Sequence, residues 1–471
     1  MAGQDHITTT TPPDHGGSDK IEKLGPSTAG PHADNSCAES IGDEKVQPAL
    51  DAFGDETGAE VKYKTMAWWQ ASLIMVAENM SLGVLSLPAV LSTNGLVAGI
   101  LALIGIGLLC TYGGYVLWQF RMRHPEVASY TDIGQILFGR VGREVFGAAF
   151  IIVGIFVMGS HLLTWTIALN TLSNHGTCTI VFGVVGIVVF ALLTVPRTLK
   201  NVSFLAIISF MSIMAAVLIT MIALAVSPRA SYDAMSATLH PSLPVAFNSI
   251  SNVVFAYAGH LAWVSFISEL RDPREFPKAL LVQQAFMIIA YIVVSIVVYR
   301  YGGENVASPA LSSTSKTVAK VAWGVALPTI IIAGVIFAHV MAKYIFLRLF
   351  RGTPHLHSRG IVASGTWIGI GVTAWTLAWV ISQSIPIFSD LLGFISALFG
   401  SWFGFIIPGY LWFVLNRGAW FSGGKNIALA LVNIAQIIIG FVVFGLGLYS
   451  SGVSMASSSA GKVWSCADNS N

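Results

Sequence analysis

Glu78 is an acidic residue in the middle of an apolar stretch, within the segment ENMSLGVLSLPAVLSTNG. A charged side chain at a bilayer centre costs roughly 2.5 to 3.5 kcal/mol on insertion scales. Desolvation disfavours the carboxylate form, so such a group binds a proton more readily than an exposed acid does. Glu144, Glu269 and Asp390 are predicted to lie close to helix ends. Glu78 is therefore either a functional proton site or a permanently protonated structural residue.

Two apolar stretches carry polar residues and glycine at their centres. The interrupting residues are Glu78, Asn79, Ser81 and Gly83 in the first stretch, followed by Pro88, and Asn248, Asn252, Tyr257, Gly259 and His260 in the second. Because glycine costs about 1 kcal/mol in a helix interior, the pattern predicts two discontinuous helices that face one another. Unwound segments expose N–H groups and carbonyl groups, which suit a small zwitterion such as an amino acid.

Three histidines, His161, His260 and His339, also fall within apolar stretches. A neutral imidazole can donate one hydrogen bond and accept another between packed helices. For His161 and His339 we favour this packing role. His260 lies in the second predicted break. For this residue two roles stand equally: binding of substrate or a proton, and a hydrogen bond between helices.

The composition indicates a protein that lies mostly in lipid. Of 471 residues, 54% are hydrophobic and only 10% are charged, whereas about a quarter of a soluble chain is charged. The apolar windows lack the strict alternation of barrel strands, so we predict an all-α polytopic membrane protein. About eleven spans are expected, at residues 66–91, 96–120, 145–171, 178–196, 202–226, 245–268, 279–299, 321–345, 360–382, 388–414 and 426–450.

The distribution of lysine and arginine predicts which side of the membrane each loop faces. With the N-terminus inside, 17 of these residues fall in inner segments and 5 in outer ones. Residues 1–64 carry 12 acidic residues against 5 lysines and no apolar leader, which predicts a disordered cytosolic tail. Residues 121–144 are predicted to form a short amphipathic surface helix. The membrane domain is placed at 65–450, followed by a short outer tail at 451–471.

The cysteines and the short motifs give no sign of a metal site or an enzyme. Four cysteines are too scattered for a metal motif. Cys178 and Cys466 both fall on the predicted outer side, where they could pair or remain free thiols. Nucleotide-binding, zinc-protease and nucleic-acid-binding patterns are absent from the sequence, and no catalytic constellation is visible.

The segments around the two predicted breaks resemble the amino acid/auxin permease (AAAP) family, and within it the fungal neutral and aromatic amino acid permeases. ENMSLGVLSLPAVLSTNG is similar to the family's glycine-rich first-helix signature, and FAYAGHLAWVSFISELRDPREFPKAL to its sixth span and following loop. The loop SYTDIGQILFG agrees too, so the resemblance covers about residues 65–450. It implies a LeuT-like fold of the APC superfamily, with two inverted five-helix repeats plus one extra helix. It also implies a substrate held between spans 1, 3, 6 and 8, and transport by proton symport.

The resemblance also implies roles for the residues at the two breaks. The first break would offer backbone N–H groups to the substrate carboxylate, and the second would offer carbonyl groups or an aromatic wall. Many relatives have a glycine where this chain has Ser81, which leaves the width of the pocket floor open. No resident cofactor is expected, and the coupling ion is expected to be a proton held by Glu78, with sodium as the alternative. The predicted substrate-binding residues are Ser81, Leu82, Gly83, Phe255, Ala256, Tyr257, Ala258, Gly259 and His260.

Taken together, the sequence predicts a secondary transporter that imports neutral amino acids, bulky or aromatic ones included, by proton symport. An amino-acid sensor that signals through its acidic tail is the main alternative. A membrane enzyme is a second one, and the lack of clustered His, Asp or Cys at the span ends argues against it. The expected partners are the amino acid, the lipid bilayer and trafficking or ubiquitination machinery at the tail, without nucleic acid. The plasma membrane is favoured over the vacuolar membrane.

Overall fold

The computed structural model describes residues 64–196, 202–229, 235–350, 353, 355, 360–457 and 463–470. Almost all of the predicted acidic tail therefore lies outside the described residues. Within the described part the regular elements are helical, apart from one isolated bridge between Met66 and Leu270. The α-helices are α1 (Trp68–Asn94), α2 (Leu96–Arg123), α3 (Tyr130–Ser173), α4 (Thr179–Thr194), α5 (Val202–Val226), α6 (Leu243–Ala256), α7 (His260–Glu269), α8 (Phe276–Gly302), α9 (Lys316–Leu349), α10 (Ile361–Ser384), α11 (Phe388–Ile395), α12 (Ile407–Leu415) and α13 (Gly424–Ser457).

The eleven apolar windows predicted from the sequence all contain helices in the described part of the chain. Nine helical segments there are long and apolar enough to cross a membrane. A tenth span consists of two segments, Phe388–Gly400 and Trp402–Leu415, that are bent by 40° relative to each other. The 16-residue apolar helix α4 lies at the fourth predicted window. The all-α fold class is confirmed, and a count of eleven depends on including α4.

The sixth span is discontinuous, as predicted. Helix α6 ends at Ala256 and α7 begins at His260, and residues 257–259 between them are not helical. The N–H group of Gly259 donates to the carbonyl oxygen of Tyr257 at 2.9 Å, which closes a tight turn. The break therefore places the carbonyl end of one half-helix beside the N–H end of the next, in the interior of the span.

The first span is one continuous helix, so the prediction of a break at residues 78–83 is wrong. Helix α1 runs through all of these positions and also through Pro88. Gly83 allows close packing instead of unwinding, because a Cβ atom there would lie only 2.7 Å from the Cα atom of Ala256 in α6. Small residues at helix contacts let the backbones of membrane helices approach each other in this way.

Helix α3 contains a sharp kink at Gly139, where φ is 62° and ψ is −145°. The kink separates a short helical segment, residues 130–138, from the long span that follows, and it falls in the stretch predicted to form an amphipathic surface helix. The two segments touch through glycines, since a Cβ atom at Gly142 would lie 2.1 Å from the carbonyl oxygen of Gly134. The Tyr130 hydroxyl donates to the carbonyl oxygen of Phe403 at 2.8 Å, which anchors this short segment to the tenth span.

The chain that leads into α1 is paired with the chain that leaves α7. The N–H group of Met66 donates to the carbonyl oxygen of Glu269 at 3.3 Å, and the N–H group of Arg271 donates to the carbonyl oxygen of Met66 at 2.8 Å. A side-chain nitrogen of Arg271 also donates to the carbonyl oxygen of Thr65 at 3.2 Å. These bonds join the predicted inner ends of the first and sixth spans.

On the predicted outer side, residues 463–470 form a segment that we call the C-terminal strap. Its Cys466 is disulfide-bonded to Cys178, immediately before α4, so of the two open possibilities for these thiols the structure has the paired one. Thr179 donates to the carbonyl oxygen of Ala467 at 2.6 Å, and Asn469 accepts from Asn170 of α3 at 2.7 Å. Helix α13 continues to Ser457, so the predicted domain boundary at residue 450 falls inside the last helix.

Candidate functional site

The break between α6 and α7 is packed against α1 through Gly259. A Cβ atom at Gly259 would lie 2.5 Å from Nε1 of Trp263 and 2.8 Å from both amide atoms of Asn79. Only a residue without a side chain therefore fits between the Asn79 amide and the Trp263 indole. The same glycine that interrupts the helical pattern in the sequence brings two polar side chains onto the break.

Tyr291 of α8 holds the end of α6 against α1. Its hydroxyl group donates to the carbonyl oxygen of Ala256 at 2.9 Å and lies 3.1 Å from that of Asn79. Its ring packs against the ring of Tyr257 with the centroids 5.2 Å apart. The carbonyl at which α6 stops is thus satisfied by a side chain from a third helix, as a buried helix end requires.

Buried polar atoms that have no hydrogen-bond partner among the described residues gather around this break. Buried polar groups are nearly always bonded to protein, water or ligand, and each exception needs an explanation. Donors and acceptors of this kind on two facing elements can bind a polar ligand and fix its orientation. The atoms at the break are Nδ2 of Asn79, the Tyr257 hydroxyl, Nδ1 of His260 and Nε1 of Trp263. Oε2 of Glu78 and Oγ of Ser81, also buried without partners in the described part of the chain, belong to helix α1.

His260 makes an interhelical hydrogen bond at the first position of α7. Its Nε2 atom lies 3.0 Å from the carbonyl oxygen of Cys110 in α2, and its ring lies 4.3 Å from the Trp263 ring between centroids. Because a carbonyl oxygen can only accept, Nε2 carries the proton in this bond, and the neutral ring then has Nδ1 as an acceptor. The residue thus serves packing through one nitrogen, and its other nitrogen, buried and unpartnered, belongs to the set around the break.

The other two membrane histidines bond to backbone carbonyl groups away from the break. Nδ1 of His161 lies 3.0 Å from the carbonyl oxygen of Ile330 in α9. His339 contacts the carbonyl oxygens of Val335 and Pro196 through its two ring nitrogens. These contacts fit the packing role that we predicted for both residues.

The predicted substrate-binding residues of the first span, Ser81, Leu82 and Gly83, lie within a helix and not in the unwound segment that was expected. Ser81 and Leu82 are buried inside the continuous helix α1, and Gly83 contacts α6. Because N–H groups in a helix interior bond to the carbonyl groups four residues earlier, these three are not free to bind a carboxylate. The contribution of α1 to the break is the side chain of Asn79, whose amide lies against Gly259.

The predicted residues of the second span do meet at the break, with unequal exposure. Tyr257 is fully buried and Ala256 lies against Gly83, whereas Phe255 is partly buried and Ala258 is exposed. An exposed residue at a break in the middle of a span shows that the turn is open on one side. The structure therefore brings the second-span residues together with Asn79, Trp263 and Tyr291, none of which we predicted as binding residues.

Two buried polar groups away from the break were not predicted from the sequence. Asp390 is near the start of α11, as predicted, but it is only 1% exposed and is bonded to Asn248. Gln283 and Gln284 of α8 are buried, and the four amide atoms of their side chains have no hydrogen-bond partner among the described residues. The one feature of the sequence that could have indicated the Asp390 contact is Asn248, a polar residue within the apolar sixth span.

Comparisons with known proteins agree with this architecture. Residues 64–452 match the sequence family described as transmembrane amino acid transporter protein. The N amino acid transport system protein of Neurospora crassa is 35% identical over 413 residues, which cover 85% of this chain and 87% of that protein. A transmembrane transporter of Gibberella moniliformis is 30% identical over 455 residues, covering 91% of this chain and 96% of that one.

A solved structure shares the fold. The crystal structure of MhsT in complex with L-phenylalanine superposes with a TM-score of 0.53 at 13% identity, covering 81% of this chain and 98% of MhsT. The LeuT-like fold and the multi-pass membrane architecture predicted from the sequence are therefore confirmed. The sequence relatives of this chain are named as transporters and not as enzymes. The chain belongs to the amino acid/auxin permease family of transmembrane amino acid transporters.

Proposed function

We propose that this amino acid transporter imports neutral amino acids, bulky and aromatic ones included, by proton symport with alternating access. The observation that carries the proposal is the set of buried, unpartnered polar atoms around the α6–α7 break. A zwitterionic solute would complete the hydrogen bonds that these groups lack. No resident cofactor is proposed, and the coupling ion is the proton.

The substrate carboxylate is placed at the start of α7. The first N–H groups of a helix have no partner within it, and they carry a partial positive charge. The Asn79 amide and Nε1 of Trp263 lie beside the same glycine, Gly259, and each offers an N–H donor. The ammonium group is placed at the carbonyl end of α6, near Phe255 and Tyr257. This arrangement replaces the unwound first span that we had expected from the sequence.

The proton is assigned to Glu78. Its Oε2 atom is buried without a partner among the described residues, and it lies on the same helix as Asn79 and Ser81. An ionised carboxylate in such surroundings is costly, whereas a protonated one is neutral and can donate a hydrogen bond. Binding of a proton here would therefore change the charge of the helix that lines the substrate site.

Alternating access is supported by the pairing of the two inner ends. Since Met66 is hydrogen-bonded to Glu269 and Arg271, the inner parts of α1 and α7 are joined and would move as one unit. In folds of this kind a helix bundle rocks against the rest of the molecule around a fixed central site. The broken span would supply the hinge for such a motion at residues 257–259.

Uptake into liposomes tests this function. Purified protein is reconstituted, and accumulation of each of the twenty amino acids is measured with and without an inward proton gradient, both in sodium medium and in medium with sodium replaced by choline. We expect uptake of neutral amino acids that requires the proton gradient. Failure of every amino acid to accumulate under these conditions would refute proton symport, and uptake that depends on sodium instead would reassign the coupling ion.

The matching variants are Glu78→Gln and Glu144→Gln. Glu144 forms a surface ion pair with Arg348, so it controls for the loss of a carboxyl group elsewhere. We expect Glu78→Gln to bind substrate but to lose accumulation driven by the proton gradient, whereas Glu144→Gln keeps it. Undiminished proton dependence in Glu78→Gln would show that the proton binds elsewhere.

We also propose that the transporter acts at the plasma membrane, with its N-terminal tail in the cytosol as a target for trafficking or ubiquitination machinery. The disulfide bond between Cys178 and Cys466 agrees with this orientation, because such bonds persist outside the reducing cytosol. Surface biotinylation of intact cells tests the location. Recovery of the protein only from vacuolar membranes would contradict it.

A further inference from the structure

Asp390 is the centre of a buried polar cluster that includes Asn248, which lies eight residues before the end of α6. Its Oδ1 atom accepts hydrogen bonds from Nδ2 of Asn248 in α6 and from the hydroxyl of Ser454 in α13, both at 2.8 Å. The hydroxyl of Ser451 donates to Oδ1 of Asn248 at 3.1 Å, which fixes the orientation of that amide. The carboxyl group therefore links the predicted outer ends of three helices, α6, α11 and α13.

The second oxygen of the same carboxyl group is not satisfied. Oδ2 of Asp390 is buried and has no hydrogen-bond partner within the described part of the chain, although the residue is only 1% exposed. A buried carboxylate with one oxygen left without a donor is costly, and a proton on that oxygen removes the charge. The Asn252 Oδ1 atom, one turn further along α6, and the Ser450 hydroxyl of α13 are also buried without partners.

Charged groups that could compensate Asp390 are missing from the described faces of the helices packed against it. Helix α6 has no titratable side chain, and α13 has only Lys425, at its opposite end, and Tyr449, which is 55% exposed. Helix α3 meets α11 through Phe156 and Phe394, whose ring centroids are 5.6 Å apart. Its buried His161 faces Ile330 of α9 instead. The carboxyl group thus depends on neutral donors alone.

The cluster is built into the part of the fold where the tenth span changes its helical geometry. A Cβ atom at Gly393 would lie 2.4 Å from Oδ1 of Asn248, so α11 and α6 are in the closest contact that the amide allows. The next residues, Ser396–Gly400 and Trp402–Ile406, are π-helical and lie at the 40° bend. Such π-helical turns occur frequently at functional sites.

We propose that Asp390 is a second proton-binding site, separate from Glu78, which couples the outer half of the broken sixth span to the bend of the tenth. Proton release would leave the carboxylate bonded to Asn248 and Ser454, and proton uptake would weaken both bonds by neutralising their acceptor. The bonds between α6, α11 and α13 would then depend on the pH at the outer face. This site does not require that Glu78 be the coupling residue.

The test uses full-length purified protein in detergent micelles and needs no transport. The melting temperature is measured in a series of buffers from about pH 4 to pH 8, which spans the titration range of carboxyl groups, for wild type, Asp390→Asn and Glu78→Gln. Asparagine keeps Oδ1 as an acceptor and puts a neutral NH₂ in place of Oδ2. We expect Asp390→Asn to lose one pH-dependent component of the melting temperature that Glu78→Gln retains.

A wild-type pH profile in Asp390→Asn would overturn the proposal. If that variant does not fold, Ser454→Ala decides the matter, because it removes one donor to Oδ1 and keeps the carboxyl group. Its pH-dependent component should have a displaced midpoint, and an unchanged midpoint would refute the site. Since melting is measured without substrate, this result stands apart from the liposome assay, and either can fail alone.

Discussion

The hydroxyl group of Tyr291 donates a hydrogen bond to the carbonyl oxygen of Ala256, at the point where α6 stops. The same hydroxyl lies 3.1 Å from the carbonyl oxygen of Asn79 in α1. One side chain of α8 therefore holds both helices that line the proposed substrate site. The position of the break relative to α1 depends on this contact.

Tyr291→Phe should disturb that position while keeping the ring. Leaving the Ala256 carbonyl without its buried donor is expected to cost about 1–3 kcal/mol of stability and to raise the KM for amino acid uptake. The matched control is Tyr299→Phe, two turns further along α8, whose hydroxyl accepts from the N–H group of Ser236 at 3.1 Å. The control should lower the melting temperature without changing KM. Equal KM effects from both variants would show that Tyr291 has no special relation to the site.

Gly83→Ala tests whether this glycine serves packing. The added Cβ atom would lie 2.7 Å from Cα of Ala256, so we expect a loss of roughly 1–3 kcal/mol from overpacking, seen as a lower melting temperature. Gly105→Ala in α2 is the control, because a Cβ atom there meets nothing within 4 Å. Since alanine is the better helix former, the control should be neutral or more stable. A stable, active Gly83→Ala protein would contradict the close contact.

Trp263→Phe removes a buried indole N–H group that has no partner among the described residues. Loss of one hydrogen bond to the substrate should raise KM by about 2- to 10-fold. Trp323→Phe is the control, since its equally buried indole is bonded to the hydroxyl of Ser312 at 3.3 Å. The control should lose more stability and keep its KM. An unchanged KM in Trp263→Phe would remove the indole from the substrate site.

Reduction of the disulfide bond tests the contribution of the C-terminal strap. We expect Cys178→Ser to lower the free energy of unfolding by about 2–4 kcal/mol, because it frees the strap from the start of α4. A thiol reductant should lower the melting temperature of the wild type to that of the variant and leave the variant unchanged. A wild type that is insensitive to reductant, although mass spectrometry shows free thiols, would mean that hydrogen bonds alone hold the strap.

The helical spans and the break at residues 257–259 could be predicted from the sequence, because hydropathy and helix-breaking residues are local signals. Gly83 interrupts an apolar stretch just as Gly259 does. Gly259 lies at a break in the helix, whereas Gly83 lies within a continuous helix at a close helix contact. A glycine weakens a helix by the same amount whether the chain unwinds there or a neighbouring helix comes close, and only the neighbour, Ala256, decides which occurs.

The polar contacts that define the site could not be predicted, because they join residues that are distant in the chain. Tyr291 and Asn79 are 212 residues apart, and Asp390 and Asn248 are 142 residues apart. Asp390 was correctly predicted to lie near a helix end. Its burial could not be predicted from that position, because it depends on which other helices pack over it. The same reason left the pairing of Cys178 and Cys466 open.

The disulfide bond joins Cys178 to Cys466, which are 288 residues apart in the sequence. The chain between these two cysteines is therefore closed into a covalent ring. Every helix from α4 to α13 belongs to this ring, while α1, α2 and α3 lie outside it. One proteolytic cut anywhere within the ring therefore leaves a single molecule, whereas a cut before Cys178 releases a fragment. Non-reducing and reducing gels of nicked protein would differ only for the first kind of cut.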